Sequence, residues 1–142
     1  MNQASYMAAD DTTPQARKTV LLVDDNEPHL ELLEVYMEDL PEVRAVTATN
    51  GLEALTRVAE ESPDVILLDI MMPKMSGFEV CKRLKADPKT RDIAVVMVTA
   101  LNETGDIERA AECGADDYIS KPIDRKALVA LVRNVLDAKA RN

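Results

Sequence analysis

An α/β domain on a parallel sheet is predicted by the alternation of five apolar runs with five helix-patterned segments after residue 18. Two further observations support it. The runs at 65–68 and 93–98 are continuous rather than alternating, as in strands buried on both faces. The connections are short, so each helix must return the chain to a parallel neighbour by a right-handed crossover.

Taken in order, residues 20–23 form the first strand and end in Asp24-Asp25. Asn26 is a capping residue and Pro28 suits a first helical turn; Leu30, Leu33, Met37 and Leu40 then make one apolar stripe, closed by Pro41. Residues 43–48 are a weaker second strand, broken by Asn50-Gly51. The second helix is expected to bury Leu52, Leu55 and Ala59 before Pro63 stops it. The central run Val65, Ile66, Leu67, Leu68 leads straight into Asp69, and Pro73 ends regular pairing beyond it. After Ser76-Gly77 a third helix turns Phe78, Cys81 and Leu84 inward and ends at Asp87-Pro88. Residues 93–98 are a fourth strand ending at Thr99. A short helix with Ile107, Ala110 and Ala111 inward stops at Cys113-Gly114. Tyr118-Ile119 is a short fifth strand before Lys121-Pro122, and Asp124 caps a last helix that buries Leu128, Leu131, Val132 and Val135.

The 142 residues suffice for one core, assigned to residues 18–140; residues 1–17 lack periodicity and read as a disordered tail. No output domain is expected after the last helix. A net charge of −9 argues against direct binding to nucleic acid or anionic lipid. No apolar run approaches the ~18 residues of a membrane span. The first residues show no basic region followed by a long apolar block, so no secretory signal is expected; Cys81 and Cys113 have neither metal nor disulfide spacing, and a cytoplasmic protein with free, packed thiols is expected.

In doubly wound sheets ligands bind beyond the carboxyl ends of the strands. That rule gathers Asp24 and Asp25, Asp69, Thr99 and Lys121 on one rim. Three neighbouring carboxylates need a shared proton or a cation, and hard oxygen donors without a His or Cys cluster favour Mg²⁺. With an ammonium and a hydroxyl beside them, they suit phosphoryl transfer to Asp69 on the central strand, giving an aspartyl phosphate. Taken singly, each residue has an ordinary structural role as cap, turn, strand end or solvated charge.

Asp24-Asp25, Asp69 with Met71-Met72-Pro73 and Gly77, Thr99-Ala100, and Tyr118 with Lys121-Pro122 resemble the receiver domain of bacterial response regulators, over residues 18–139. The resemblance implies a flavodoxin-like (βα)₅ fold with strand order 2-1-3-4-5. It implies Asp69 as the acceptor of a phosphoryl group from a histidine kinase, a histidine phosphotransfer protein or a small phosphodonor. Asp25, Asp69 and the Met71 carbonyl would ligate Mg²⁺, with Asp24 acting mainly through water. Lys121 would pair with the acceptor, and the Lys121-Pro122 bond would be cis. Thr99 and Tyr118 match the family's switch pair. Their movement would alter the face of the fourth helix, fifth strand and fifth helix toward a downstream protein, in a monomer or a phosphorylation-linked homodimer. Apolar Met71 and Leu101 stand where the family tunes phosphoryl lifetime, which implies slow self-hydrolysis.

Three alternatives accompany this reading: a receiver fragment of a longer regulator, an inert pseudo-receiver, and a Mg²⁺-dependent hydrolase of the haloacid-dehalogenase kind. The last needs a general acid two residues after the nucleophile, where this chain has Met71. His29 is expected as an exposed helix residue, Met71, Met72 and Met75 as a lining of the acceptor loop, and Lys82, Arg83, Lys85, Lys89 and Arg91 as a solvated basic face.

Overall fold

Five parallel strands form one sheet in the order β2-β1-β3-β4-β5. They are β1 (Lys18–Val23), β2 (Val43–Ala48), β3 (Val65–Asp69), β4 (Ala94–Thr99) and β5 (Asp117–Ser120). Between and after them run α1 (Glu27–Met37), α2 (Gly51–Glu61), α3 (Gly77–Ala86), α4 (Thr104–Glu112) and α5 (Arg125–Ala140). This computed structural model describes residues 17–100 and 104–141; the expected tail, apart from Arg17, and Leu101 lie outside them. Among the described residues no helix is long and apolar enough to cross a membrane.

Successive strand side chains point to opposite faces, and this divides the core in two. Val20, Leu22, Val65, Leu67, Val96 and Val98 pack against α1 and α5 through Leu30, Leu33, Leu128 and Val132. Leu21, Val23, Ile66, Leu68, Val95 and Met97 pack against the other helices through Ala54, Val58, Phe78, Cys81, Leu84 and Ala110. The central strand is buried along its whole length, which is why its sequence is continuously apolar.

Capping residues set where the helices begin. Asn26, Asn50, Ser76 and Asp124 each accept a hydrogen bond from the backbone N–H three residues on; α1, α2 and α5 start close behind the strands that feed them, and α3 follows a longer loop after Asp69. The Asn26 and Asp124 caps and the Leu30–Leu33–Met37–Leu40 stripe agree with the sequence.

Two helices differ from expectation. In α2 the buried residues are Gly51, Ala54 and Val58, with Leu55 half-buried, whereas Leu52 is 65% exposed and Ala59 is exposed. The Asn50 cap fixes the helix phase, and small residues let α2 lie close to its neighbours. A Cβ added at Gly51 would stand 2.9 Å from Met75 Cβ. Close approach decided the buried face, not side-chain size. In α4, Ala110 is buried but Ala111 is exposed.

Candidate functional site

The ladder continues past the strand ends and fixes the rim. The Asp24 N–H donates to Ala48 O at 3.2 Å, Ile70 N–H to Val98 O at 3.2 Å, and Lys121 N–H to Thr99 O at 2.8 Å. Residues distant in sequence are thereby held level at the carboxyl ends of β1, β3, β4 and β5. A Cβ on Gly77 would lie 2.4 Å from the Asp69 carbonyl oxygen, so the start of α3 presses directly on the backbone of Asp69.

Asp24, Asp25 and Asp69 each offer a carboxylate oxygen within 4.8 Å of the others. Asp24 is 2% and Asp69 3% exposed, while Asp25 faces solvent. Lys121 Nζ donates to Asp69 Oδ2 at 3.2 Å, and the Met71 N–H donates to Oδ1 of the same carboxylate at 3.3 Å. Burial pushes the Asp69 pKa up, Lys121 opposes that shift, and the charge of Asp24 adds to it. Three carboxylates, two of them buried, constitute a negative well with hard oxygen donors. That set fits Mg²⁺ better than a softer metal.

Thr99 is buried at the end of β4, and its hydroxyl donates to Ala100 O at 3.1 Å. Tyr118 pairs in register with Met97, and its side chain is 45% exposed on the outer strand. Met71 has an exposed side chain, Met72 is buried and Met75 half-buried. The Lys121-Pro122 peptide bond is cis. The structure thus brings Asp24, Asp25, Asp69 and Lys121 into one cluster, sets Thr99 on the same rim, and leaves Tyr118 facing outward.

His29 departs from the sequence expectation. It is not a freely exposed helix residue: its Nδ1 contacts Asp24 Oδ2, and the side chain is only 23% exposed. The available signal was the order of residues: Asn26 caps the first turn of α1 by accepting from the His29 N–H, and that turn begins directly beyond Asp24-Asp25. Gly77 stands in the sequence as the start of α3 and among the residues that carry the resemblance, and its close approach to Asp69 comes from the packing of α3.

Residues 20–133 match the family described as "Response regulator receiver domain". The chain belongs to that family. It is 48% identical over 117 residues to the response regulator PleD of Caulobacter vibrioides, covering 82% of this chain and 25% of that protein. It is 41% identical over 119 residues to the phosphate regulon transcriptional regulatory protein PhoB of Pseudomonas aeruginosa, covering 84% of this chain and 52% of PhoB. The receiver therefore spans between a quarter and about half of these curated relatives. Among solved structures, the receiver domain of a signal transduction histidine kinase from Syntrophus aciditrophicus superimposes with a TM-score of 0.80 at 34% identity, covering 88% of this chain and 94% of that one. Chemotaxis protein CheY4 of Vibrio cholerae gives 0.78 at 27% identity, covering 84% and 99%. The receiver has the flavodoxin-like, CheY-type arrangement of a five-stranded sheet in the order 2-1-3-4-5.

Proposed function

We propose that this receiver is a phosphorylation-dependent switch in which Asp69 accepts a phosphoryl group from a histidine kinase or a histidine phosphotransfer protein. The observation that carries the reading is the meeting of Asp24, Asp25 and Asp69, with Lys121 Nζ 3.2 Å from the Asp69 carboxylate. Asp24, Asp25 and Asp69, with the backbone carbonyl of Met71, are the groups assigned to Mg²⁺. When bound, Mg²⁺ offsets the carboxylate charge and the charge that builds on the transferring phosphoryl oxygens.

An Asp69 carboxylate oxygen attacks phosphorus. The bond from phosphorus to the donor nitrogen, or to the leaving oxygen of a small acyl phosphate, breaks, and its electron pair leaves with the donor. Before transfer, Lys121 and the Met71 N–H hold one oxygen of Asp69 each, which orients the carboxylate. After transfer, Lys121 neutralises a phosphoryl oxygen. The Thr99 hydroxyl turns from Ala100 O to donate to another. Inward rotation of the exposed Tyr118 ring into the space so vacated reshapes the surface of α4, β5 and α5 for a downstream protein.

On this reading the receiver acts in the cytoplasm and catalyses only its own phosphorylation and dephosphorylation, with no substrate turned over. Met71, the residue two beyond Asp69, has no proton to give a leaving group, which disfavours a hydrolase. Intact-mass analysis with acetyl phosphate and MgCl₂ tests the proposal. The chain is expected to gain one phosphate that Asp69→Asn does not gain and that chelation of Mg²⁺ prevents. Equal gain by the variant refutes Asp69 as acceptor.

A further inference from the structure

The segment from Asp24 to His29 closes on itself through three contacts. Asp24 Oδ1 accepts from the Asn26 N–H at 2.9 Å, Asn26 Oδ1 accepts from the His29 N–H at 3.0 Å, and His29 Nδ1 meets Asp24 Oδ2. Asp24 is 2% exposed, so nearly all hydration of its carboxylate has been lost. A buried carboxylate demands donors on both oxygens, and here one comes from the backbone and one from an imidazole. The cap holds the backbone of His29 in the first turn of α1, and from there its ring reaches Asp24.

We propose that His29 is a built-in competitor for the divalent ion, occupying Asp24 Oδ2 when the carboxylate cluster holds no metal and thereby weakening Mg²⁺ binding. The inference rests on the reading of Asp24, Asp25 and Asp69 as the Mg²⁺ site. Lone pairs engaged by an N–H are less available to a cation or to its bound water. The ion therefore gains from Asp24 only what remains after the His29 contact is lost or shared. Asp24 with both oxygens engaged is also suited to act through water rather than as a direct ligand. His29 is accordingly a positioning residue that sets the ion concentration at which the receiver becomes competent. It carries no phosphoryl group itself.

Two consequences separate this role from simple packing. Removing the imidazole strands a buried oxygen in the ion-free protein and lowers its thermal midpoint. The same change tightens Mg²⁺ binding, because the ion then supplies the only compensation on that side. By linkage, the extra stabilisation by Mg²⁺ and the tighter dissociation constant are one quantity measured twice.

The experiment is calorimetric titration of the full chain with MgCl₂, together with thermal midpoints with and without saturating Mg²⁺, for wild type, His29→Ala and His29→Gln. His29→Ala is expected to bind Mg²⁺ at least roughly tenfold more tightly, the equivalent of one lost hydrogen bond to a charged group. It should melt lower than wild type without the ion and nearly level with it at saturation. His29→Gln, whose amide can donate to the same oxygen, is expected to return toward wild-type affinity. Unchanged or weaker binding by His29→Ala, with wild type binding normally, overturns this role and leaves Asp69 as phosphoacceptor untouched. Absence of saturable Mg²⁺ binding by wild type overturns the metal-site reading beneath it.

Discussion

Replacing Asp69 by Asn is expected to stabilise the ion-free receiver while abolishing its phosphorylation, and the structure sets the size of the effect. Asp24 and Asp69 present oxygens no more than 4.8 Å apart, which at an effective dielectric near 20 is a repulsion of roughly 3.5 kcal/mol. Lys121, 3.2 Å from Asp69 but with a side chain 37% exposed, offsets about 2–3 kcal/mol of this after solvent screening. Burial of the carboxylate adds a further cost that a neutral amide of the same shape largely avoids. The balance favours Asp69→Asn by about 1–3 kcal/mol at neutral pH, or a thermal midpoint higher by roughly 3–10 °C for a chain of this size.

The pH dependence has a definite sign. Burial, opposed by Lys121 and reinforced by Asp24, raises the folded-state pKa of Asp69 above its ordinary 3.8. Between the two values the native state holds a proton that the unfolded chain has released. Stability from this group is therefore full below the unfolded value and is lost as pH rises through the folded one. The advantage of Asp69→Asn should be greatest at neutral pH and shrink as acid protonates wild-type Asp69. Saturating Mg²⁺ should also shrink it, since the ion offsets the same repulsion. Scanning calorimetry across pH, with and without MgCl₂, reads all three effects. A midpoint lowered by Asp69→Asn in the absence of metal, or a gain indifferent to both acid and Mg²⁺, would refute the reasoning.

Other expectations follow from particular contacts. Gly77→Ala drives a Cβ to 2.4 Å from the Asp69 carbonyl oxygen and should cost about 1–3 kcal/mol, with slowed phosphorylation by acetyl phosphate. Gly105→Ala, whose Cβ meets nothing within 4 Å, should leave both unchanged or improve stability slightly. In α2, Leu52→Gln should change unfolding free energy by less than about 0.5 kcal/mol, whereas Ala54→Leu should lose about 1–3 kcal/mol in urea denaturation. Burial pushes the Cys81 thiol up to about 11, and its sulfur donates to Cys113 O at 3.4 Å. Peptide mapping after brief iodoacetamide treatment at pH 8 should find Cys113 alkylated well ahead of Cys81.

What the sequence made legible here is whatever depends on period and on strand ends. Continuous apolar runs identified β3 and β4 because both of their faces are buried, and the residue types closing each strand placed Asp24, Asp69, Thr99 and Lys121 on one rim. Mutual distance was a matter for the sheet: parallel register carries Asp24, Ile70 and Lys121 past their strands to matched heights, and no local pattern encodes that. The α2 face differs from the expected Leu52, Leu55 and Ala59 because apolar spacing alone does not say how closely the helix packs. A helix lying close against its neighbours buries Gly51 and Ala54 and lets Leu52 face solvent.

The same limit hid His29, and here the cause is instructive. A capped first turn is a local structure, readable from Asn26, yet its consequence is non-local: it brings an imidazole onto a carboxylate that the preceding strand has already buried. The Asn26 cap therefore does more than start a helix. Here Asp24 directly follows β1, α1 is capped two residues later at Asn26, and the third helical residue, His29, meets that acid. Its chemistry then bears on whatever the acid binds. On the proposed reading His29 is the donor in that contact, and the strand-to-helix turn sets how strongly the carboxylate cluster draws in a cation.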